Sequence, residues 1–159
     1  MGKRSQVFLT IYAIAAAGLA NAACDPGRVS LRGDWGQAAF SVELADDASE
    51  RATGLMNRPQ MDRFAGVLFV YEQPQRVAFW MKNTLIPLDM IFADATGTVT
   101  LVHSNAVPGD ETAIPGGGPV QFVLEINGGL ARQLGIGAGS QMQHPAIAQD
   151  AAAWACAEQ

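Results

Sequence analysis

The sequence predicts a single, mainly β domain, either a barrel or a sandwich, with one or two short helices. Apolar and polar residues alternate with a period of two in several short segments, as on the two faces of a strand. The run 66–71 is continuously apolar and has the length of a strand. A chain of 159 residues is long enough for one domain and short for two. We found no internal repeat.

The predicted strands begin with the segment 39–44, in which Phe40, Val42 and Leu44 share one face. Further strands are predicted at 66–71, 77–82, 88–93, 98–103 and 121–126, with a short last strand at 140–143. Gly97 supplies a tight turn, so the fourth and fifth of these strands are expected to form a hairpin.

Two short helices are predicted between the strands. The segment 47–50 has the pattern of a capping box, so a helix should begin there and end near residue 57, before Pro59. A second helix is predicted at 128–134, ending at Gly135.

The segment 104–120 predicts a long loop. It contains Pro108, Pro115, Pro119 and the glycine triplet 116–118. Loops of this length in small domains are usually functional or mobile. The triplet lacks the Lys-Ser/Thr of a phosphate-binding loop, so we interpret it as a flexible tip or a lid.

The N-terminus has the three-part plan of a secretory signal. Lys3 and Arg4 precede the apolar run 7–19, and small residues follow at 20–22. The run is too short for a spanning helix, which needs roughly 20 residues. We therefore expect a cleaved signal peptide at 1–22, and a periplasmic or secreted domain at 23–159 without membrane insertion after cleavage.

The two cysteines, Cys24 and Cys156, lie near opposite ends of the expected mature chain. An even pair in an oxidising compartment favours a disulfide. The alternative is a lipoprotein acylated at Cys24, but Asn21 occupies the position where a lipobox has an apolar residue. The alanine-rich tail, 147–158, has helical propensity, and Trp154 and Cys156 would attach it to the domain.

Charge limits the classes of partner. The formal net charge is −5, and loss of Lys3 and Arg4 changes it to −7. Nucleic acid and anionic membrane surfaces are therefore unexpected partners. We expect a monomer that binds a small polar ligand or an envelope protein.

Five segments carry a family resemblance, at 51–58, 66–69, 79–84, 86–92 and 123–129. Together they resemble the bacterial and archaeal family called domain of unknown function 192, over about residues 40–143. Val67 departs from the Met that is common in the family. The resemblance implies a compact β-rich fold, often behind a signal peptide, and implies no activity.

Asp89 and Glu125 are the most informative polar residues, because each lies inside an apolar strand. A buried carboxylate without a partner costs several kcal/mol or shifts its pKa. In one interpretation they form ion pairs with Arg51, Arg58 and Lys82 that tie a helix to the sheet. In the other they are an acid/base pair of a hydrolase acting on envelope glycan.

The segment 79–84 suggests a ligand pocket. Alternation places Trp80 and Lys82 on one face, and Asn83 follows in a turn. An aromatic side chain with a few convergent polar groups suits a small-ligand site. The candidate ligand-binding residues are Arg51, Arg58, Trp80, Lys82, Asn83, Asp89 and Glu125.

Metal and cofactor sites are not expected. His103 and His144 have no ligand at coordinating spacing, and the methionines have apolar neighbours. No nucleophile motif is present either. We therefore expect a non-catalytic binding domain of the envelope. A glycan hydrolase using Asp89 and Glu125, and a structural or assembly factor, are the alternatives.

Overall fold

The computed structural model describes residues 24–157, so the predicted signal peptide, 1–22, lies outside the described residues. Its elements, in chain order, are β1 (Arg28–Gly33), β2 (Gly36–Ala45), α1 (Ala48–Thr53), β3 (Ala65–Phe79), β4 (Leu88–Ala93), β5 (Val99–Ala106), β6 (Ile114–Asn127), α2 (Leu130–Leu134) and β7 (Gln141–Gln143). The predicted fold class is confirmed, since these elements form one β-rich domain with two short helices.

The seven strands form one curled sheet in the order β5-β4-β6-β3-β2-β1-β7. Neighbouring strands are antiparallel except β2 and β3, which are parallel. Parallel strands need a crossover, and α1 lies in that connection. A bridge between Thr98 and Gln141 brings the two edges of the sheet together, so it curls into an incomplete barrel.

Each face of the sheet carries its own apolar core. The first core takes side chains from all seven strands and from α2, with Leu68, Phe122 and Leu124 among its central members. The second core lies on the opposite face and is built around Phe69, Phe92 and their neighbours. Because both faces are covered, a polar side chain in β4 or in the central part of β6, residues 122–126, is buried whichever way it points.

β3 and β6 extend beyond the sheet as a two-stranded arm, formed by residues 75–79 and 114–120. The pairing register shifts twice along β3, and the strand bends back over the second core. The ring of Phe79 packs edge-on against Phe69 of the same strand, with ring centres 5.0 Å apart. The arm thereby forms one wall over the sheet.

The predicted loop at 104–120 is wrong, because most of it is strand. β5 continues to Ala106 and β6 begins at Ile114, leaving only residues 107–113 as a connection. The glycine triplet belongs to the arm, where a Cβ on Gly116 would lie 3.0 Å from the ring of Phe92. Close packing, as well as flexibility, therefore places glycine in this segment.

The other strand predictions agree with the structure except at their ends. The segment 88–93 coincides with β4. The two strands predicted at 66–71 and 77–82 are instead parts of one strand, β3, which ends at Phe79, and β1 was not predicted. α1 begins at the predicted capping box, in which Asp47 accepts a hydrogen bond from Glu50 N at 2.8 Å. It ends at Thr53, earlier than expected, because Gly54 adopts a φ of 46°.

The alanine-rich tail forms turns and no helix within its described part. The side chain of Gln149 takes over the local hydrogen bonds: it donates to His144 O at 3.2 Å and accepts from Cys156 N at 2.6 Å. The predicted disulfide is confirmed, since Cys24 and Cys156 are bonded with their Cα atoms 5.5 Å apart. The sulfur of Cys24 is therefore occupied in this structure, which argues against the lipoprotein alternative.

Candidate functional site

Asp89 is a structural carboxylate. It is fully buried in β4. Its Oδ1 accepts hydrogen bonds from the backbone N–H groups of Asn105 at 2.7 Å and Gly129 at 2.8 Å. Its Oδ2 accepts from Ala131 N at 2.7 Å. Both oxygens are thus used to join β4 to the end of β5 and to the start of α2.

Glu125 has a different environment. It lies in β6, opposite Met90 of β4 and Val67 of β3, and is 4% exposed. Among residues 24–157 no side chain or backbone group forms a hydrogen bond to its carboxyl, and burial alone raises its pKa to about 8. In residues 24–157, no side-chain nitrogen or oxygen that is sealed from solvent lacks a hydrogen-bond partner. The Glu125 oxygens have no protein partner in this range, so they reach solvent through a small opening although the side chain as a whole is desolvated.

The two carboxyl groups lie on opposite faces of the sheet. Asp89 pairs with Ile126, whereas Glu125 pairs with Met90, and residues paired across antiparallel strands share a face. The pair Asp89–Ile126 and the next pair, Met90–Glu125, therefore point to opposite faces, because successive residues of a strand alternate. The structure does not bring Asp89 and Glu125 together, so the predicted acid/base pair has no geometric basis.

Glu125 lies at the base of an open cleft of about 180 Å³. The cleft is lined by residues 51–56, Phe69, Tyr71, 78–80, Thr84 and Glu125. α1 and the turn after it form one side, and the arm with Trp80 forms the other. Of the predicted ligand-binding residues, the cleft brings together Arg51, Trp80 and Glu125.

Arg51 is held by the scaffold at the edge of the cleft. Its Nη1 donates to the backbone oxygens of Asp46 at 2.6 Å and Val70 at 2.8 Å. Its Nη2 pairs with Glu72 at 3.3 Å, and its guanidinium lies 5.0 Å from the centre of the Tyr71 ring. Arg51 therefore has partners other than Glu125, contrary to the predicted ion-pair network.

Tyr71 stands between Arg51 and Glu125. Burial raises the pKa of its phenol above the ordinary value, more than the positive charge of Arg51 lowers it. The phenol consequently stays protonated at neutral pH and beyond.

Arg58 does not line the Glu125 cleft. It forms a two-pronged ion pair with Glu43 of β2. The hydrogen bonds between these side chains lower the pKa of Glu43 and raise that of Arg58. A separate cleft between β2 and α1 includes both residues.

Lys82 and Asn83 lie beside the cleft and outside its lining. The Lys82 ammonium is 5.1 Å from the ring centre of Trp80, a side chain that is 48% exposed. Asn83 adopts a φ of 54°, and its carbonyl accepts a hydrogen bond from Asn57 N at 2.8 Å. The two residues position the loop that carries Thr84 into the cleft.

Sequence analysis missed Phe69, Tyr71 and Thr84 as part of the site. Phe69 and Tyr71 lie within a continuous apolar run and carried no separate signal. The cleft depends on β3 bending back after Tyr71, which alternation of apolar residues does not predict. Thr84 is buried, and its hydroxyl donates to Lys82 O at 3.3 Å.

In the described range, 24–157, there is no group of three or more His, Cys, Asp or Glu side chains arranged to hold a metal ion. His144 is buried, with Nε2 2.9 Å from Pro26 O, and burial lowers its pKa. Within the same range, no helix is long and apolar enough to cross a membrane.

Comparison with known protein families identifies the fold. The model of domain of unknown function 192, described as "Uncharacterized ACR", matches residues 29–144. The chain belongs to this family. No curated protein was found to be similar to the chain.

Two crystal structures resemble this member of domain of unknown function 192. A protein of unknown function from Novosphingobium aromaticivorans is 44% identical, with a TM-score of 0.71 over 72% of this chain and 82% of that one. A protein described as a candidate transcription regulator, from Sinorhizobium meliloti, is 39% identical. Its TM-score is 0.74 over 79% of this chain and 98% of that one.

Four of the five segments that carry the resemblance to domain of unknown function 192 contribute to the cleft. Segment 51–58 supplies the last residues of α1 and the following turn, and 66–69 supplies Phe69. Segment 79–84 supplies Trp80 and Thr84, and 123–129 supplies Glu125. The fifth, 86–92, supplies Met90, which pairs with Glu125 on the adjacent strand. Segments far apart in the sequence thus converge on one acid.

Proposed function

We propose that this domain binds a small polar ligand in the cleft above Glu125, outside the cytoplasm and without chemical change to the ligand. The observation that carries the proposal is the Glu125 carboxyl, which is buried, lines an open cleft and has no hydrogen-bond partner in the protein. Buried polar groups in folded proteins are almost always paired, by protein groups or by water. The Glu125 oxygens open onto the cleft and have no protein partner among residues 24–157, so a ligand can pair with them.

The dimensions of the cleft favour a small ligand or a small end group. Its volume of about 180 Å³ is below the roughly 300–1,000 Å³ of pockets that enclose drug-sized molecules. Trp80 is half-exposed at the arm side and offers an apolar face at the entrance. The cleft has aromatic walls and few polar groups, among them the Glu125 carboxyl and the Thr84 hydroxyl. Small-molecule binding sites have the same composition.

The geometry favours binding over the two alternatives. A glycosidase requires a second carboxyl within about 10 Å on the same side of its substrate, and Asp89 lies on the other face of the sheet. An assembly factor would have polar residues that are buried and mutually satisfied. Asp89 fits that description, but Glu125 does not.

A nucleic-acid partner is not part of the proposal. One structural neighbour is described as a candidate transcription regulator, but this chain has 15 acidic and 10 basic residues. A surface with excess negative charge repels the phosphate backbone.

A thermal-shift screen of sugars, amino acids, small amines and metal ions tests the proposal. It compares the wild type with Glu125→Gln and with Glu111→Gln, a matched change at an exposed residue outside the cleft. A ligand that binds the folded state raises the Tm. We expect compounds that stabilise the wild type and Glu111→Gln but not Glu125→Gln. Equal stabilisation of all three proteins, or of none, would reject the cleft as the binding site.

Export is the second part of the proposal. The signal-like N-terminus predicts removal of residues 1–22, and the Cys24–Cys156 disulfide suits an oxidising compartment. N-terminal sequencing of the protein from fractionated cells should begin at Ala23 and locate it outside the cytoplasm. A protein that keeps Met1 and remains in the cytoplasmic fraction would contradict export.

A further inference from the structure

Within the part of the chain that the structure describes, Glu125 has no basic or N–H partner. It is the acid at the base of the cleft, and Asp89, the other fully buried carboxylate, already accepts three backbone hydrogen bonds. Burying an acid without compensation costs several kcal/mol. A bound group can therefore form with Glu125 the hydrogen bonds or the ion pair that the protein does not provide.

The basic residues nearest the cleft are engaged elsewhere. Arg51 donates to two backbone oxygens and to Glu72. The Lys82 ammonium lies 5.1 Å from the centre of the Trp80 ring, and Arg58 pairs with Glu43. None of them forms an ion pair with Glu125, so no basic side chain of the described residues neutralises this acid when it is ionised.

The walls around Glu125 favour a cation over an anion. Phe69, Tyr71, Phe79 and Trp80 line the cleft, and aromatic rings attract positive charge through their faces. Two of these rings already have a cation near one face: Arg51 lies 5.0 Å from the Tyr71 ring centre and Lys82 5.1 Å from that of Trp80. An anionic ligand would need several convergent N–H donors. The guanidinium of Arg51, the main donor at the rim, already has protein acceptors.

Resting on the proposed function, we infer that the ligand presents an ammonium group, a protonated amine, to the Glu125 carboxylate. The ammonium N–H bonds donate to the two carboxylate oxygens, and the aromatic walls surround the attached carbon chain. The size of the cleft suits an alkylammonium arm or an amine-bearing ring. One carboxylate with three donors of an ammonium is also a better match than one carboxylate with a divalent metal ion, which needs several oxygen ligands.

Binding of an ammonium group is linked to release of one proton. The Glu125 pKa of about 8 keeps the carboxyl protonated at neutral pH. The ammonium binds the ionised form, so the Glu125 proton leaves to solvent as the ion pair forms. Affinity should therefore rise about tenfold per pH unit up to about pH 8 and level off above it.

Few other groups can impose this dependence. Tyr71 stays protonated because burial raises its pKa. Arg51 and Lys82 are the basic side chains nearest the cleft, and neither forms an ion pair with Glu125. The residues paired with Glu125 on the adjacent strands, Val67 and Met90, do not titrate.

A carbon-13 NMR titration of the Glu125 side-chain carboxyl tests the inference directly. Wild type, Glu125→Gln and Glu111→Gln are titrated from pH 5 to 9 with butylammonium or benzylammonium, and with butanol or benzyl alcohol as neutral probes of the same shape. We expect both ammonium probes to lower the Glu125 midpoint and to shift the amide signals of Gly54 and Thr84. The alcohols should do neither, and Glu125→Gln should lose the response while Glu111→Gln keeps it.

The outcomes separate the two proposals. Alcohols that shift the cleft signals through Glu125 while the ammonium probes do not would overturn the ammonium inference and leave the polar-ligand proposal standing. Ammonium binding that is equally strong at pH 6 and pH 8, or unchanged in Glu125→Gln, would also overturn the inference. If neither these probes nor the thermal-shift compounds act through Glu125, both proposals fail.

Discussion

Asp89 and Glu125 lie on adjacent strands, and both are almost completely buried. Three backbone N–H groups surround the carboxylate of Asp89, so its burial is compensated by hydrogen bonds. Glu125 faces the cleft without such donors, and desolvation raises its pKa. Both residues are buried acids. Their roles differ because the groups around the two carboxyls differ on the two faces of the sheet.

Stability should depend on pH through Glu125. Its folded-state pKa of about 8 is above the ordinary glutamate value of 4.5. A raised pKa stabilises the folded state fully below about pH 4.5, and this contribution is lost as pH rises through 8. At pH 9, Glu125→Gln should therefore be more stable than the wild type by about 3–5 kcal/mol, whereas near pH 4 the two should be similar. Urea unfolding across this range measures the difference, and identical profiles for both proteins would refute it.

Asp89→Asn should destabilise the domain. An asparagine side chain has one acceptor oxygen, so its NH₂ would face at least one backbone donor that Asp89 now satisfies. The loss of a buried charge-assisted network predicts a cost of about 3 kcal/mol or more in free energy of unfolding. Asp150→Asn, at an exposed position, is the control. A loss below about 1 kcal/mol, measured by chemical denaturation, would show that these bonds do not hold the sheet to α2.

At the scale of elements, the arm of β3 and β6 has the largest effect on the site. Its bend places Phe79 against Phe69, and its end brings Trp80 to the cleft. α1 supplies the opposite wall from the connection that the parallel β2–β3 pair requires. The cleft is therefore the space between one irregular extension of the sheet and one crossover helix.

The three glycines of the arm should respond differently to alanine. A Cβ on Gly116 would lie 3.0 Å from Phe92 and 3.2 Å from Val77, whereas one on Gly118 meets nothing within 4 Å. Gly116→Ala should cost about 1–3 kcal/mol through overpacking. Gly117→Ala should cost about 1–2 kcal/mol because its φ is 79°. Gly118→Ala should be neutral or slightly stabilising, since it restricts only the unfolded chain.

Thermal unfolding of the three variants distinguishes packing from flexibility in the triplet. If the segment behaved as the loop that the sequence suggests, all three substitutions would have similarly small effects. A stability order in which Gly118→Ala is the most damaging would contradict the arm as described.

At the scale of the whole molecule, the two chain ends close the domain. The disulfide joins residues 132 positions apart, outside the segment 29–144 that matches the family model. His144 adds a contact beside it through the 2.9 Å hydrogen bond to Pro26 O. The curled sheet is thereby held by a covalent link in addition to its two cores.

Removal of the disulfide should lower the stability of the folded domain without changing its cleft. In the chain-entropy model, closing a loop of this length contributes about 4–5 kcal/mol. The double variant Cys24→Ser/Cys156→Ser should unfold at correspondingly lower urea concentration, and the wild type should match it after reduction. Intact mass before and after reduction verifies the bond. A free energy of unfolding within 1 kcal/mol of wild type would contradict a stabilising role.

Local patterns predicted much of this fold. The limits of β4, the capping box of α1 and the end of α2 at Gly135 follow from residues that are neighbours in the sequence. The two cysteines predicted their own pairing, because the chain has no others. The predicted helix of the tail does not form. The hydrogen bonds of Gln149 and the disulfide at Cys156 hold the tail in turns despite its helical propensity.

The sequence by itself determined the fold class, the family and the presence of two acids within apolar strands. Only the tertiary structure decided that these acids point to opposite faces, because a strand register shifted by one residue exchanges the faces of every side chain. Likewise, the bend of β3 that brings Trp80 towards Glu125 depends on contacts between residues distant in the chain. Alternation specifies which side chains share a face along one strand, whereas the pairing of strands decides which of them meet.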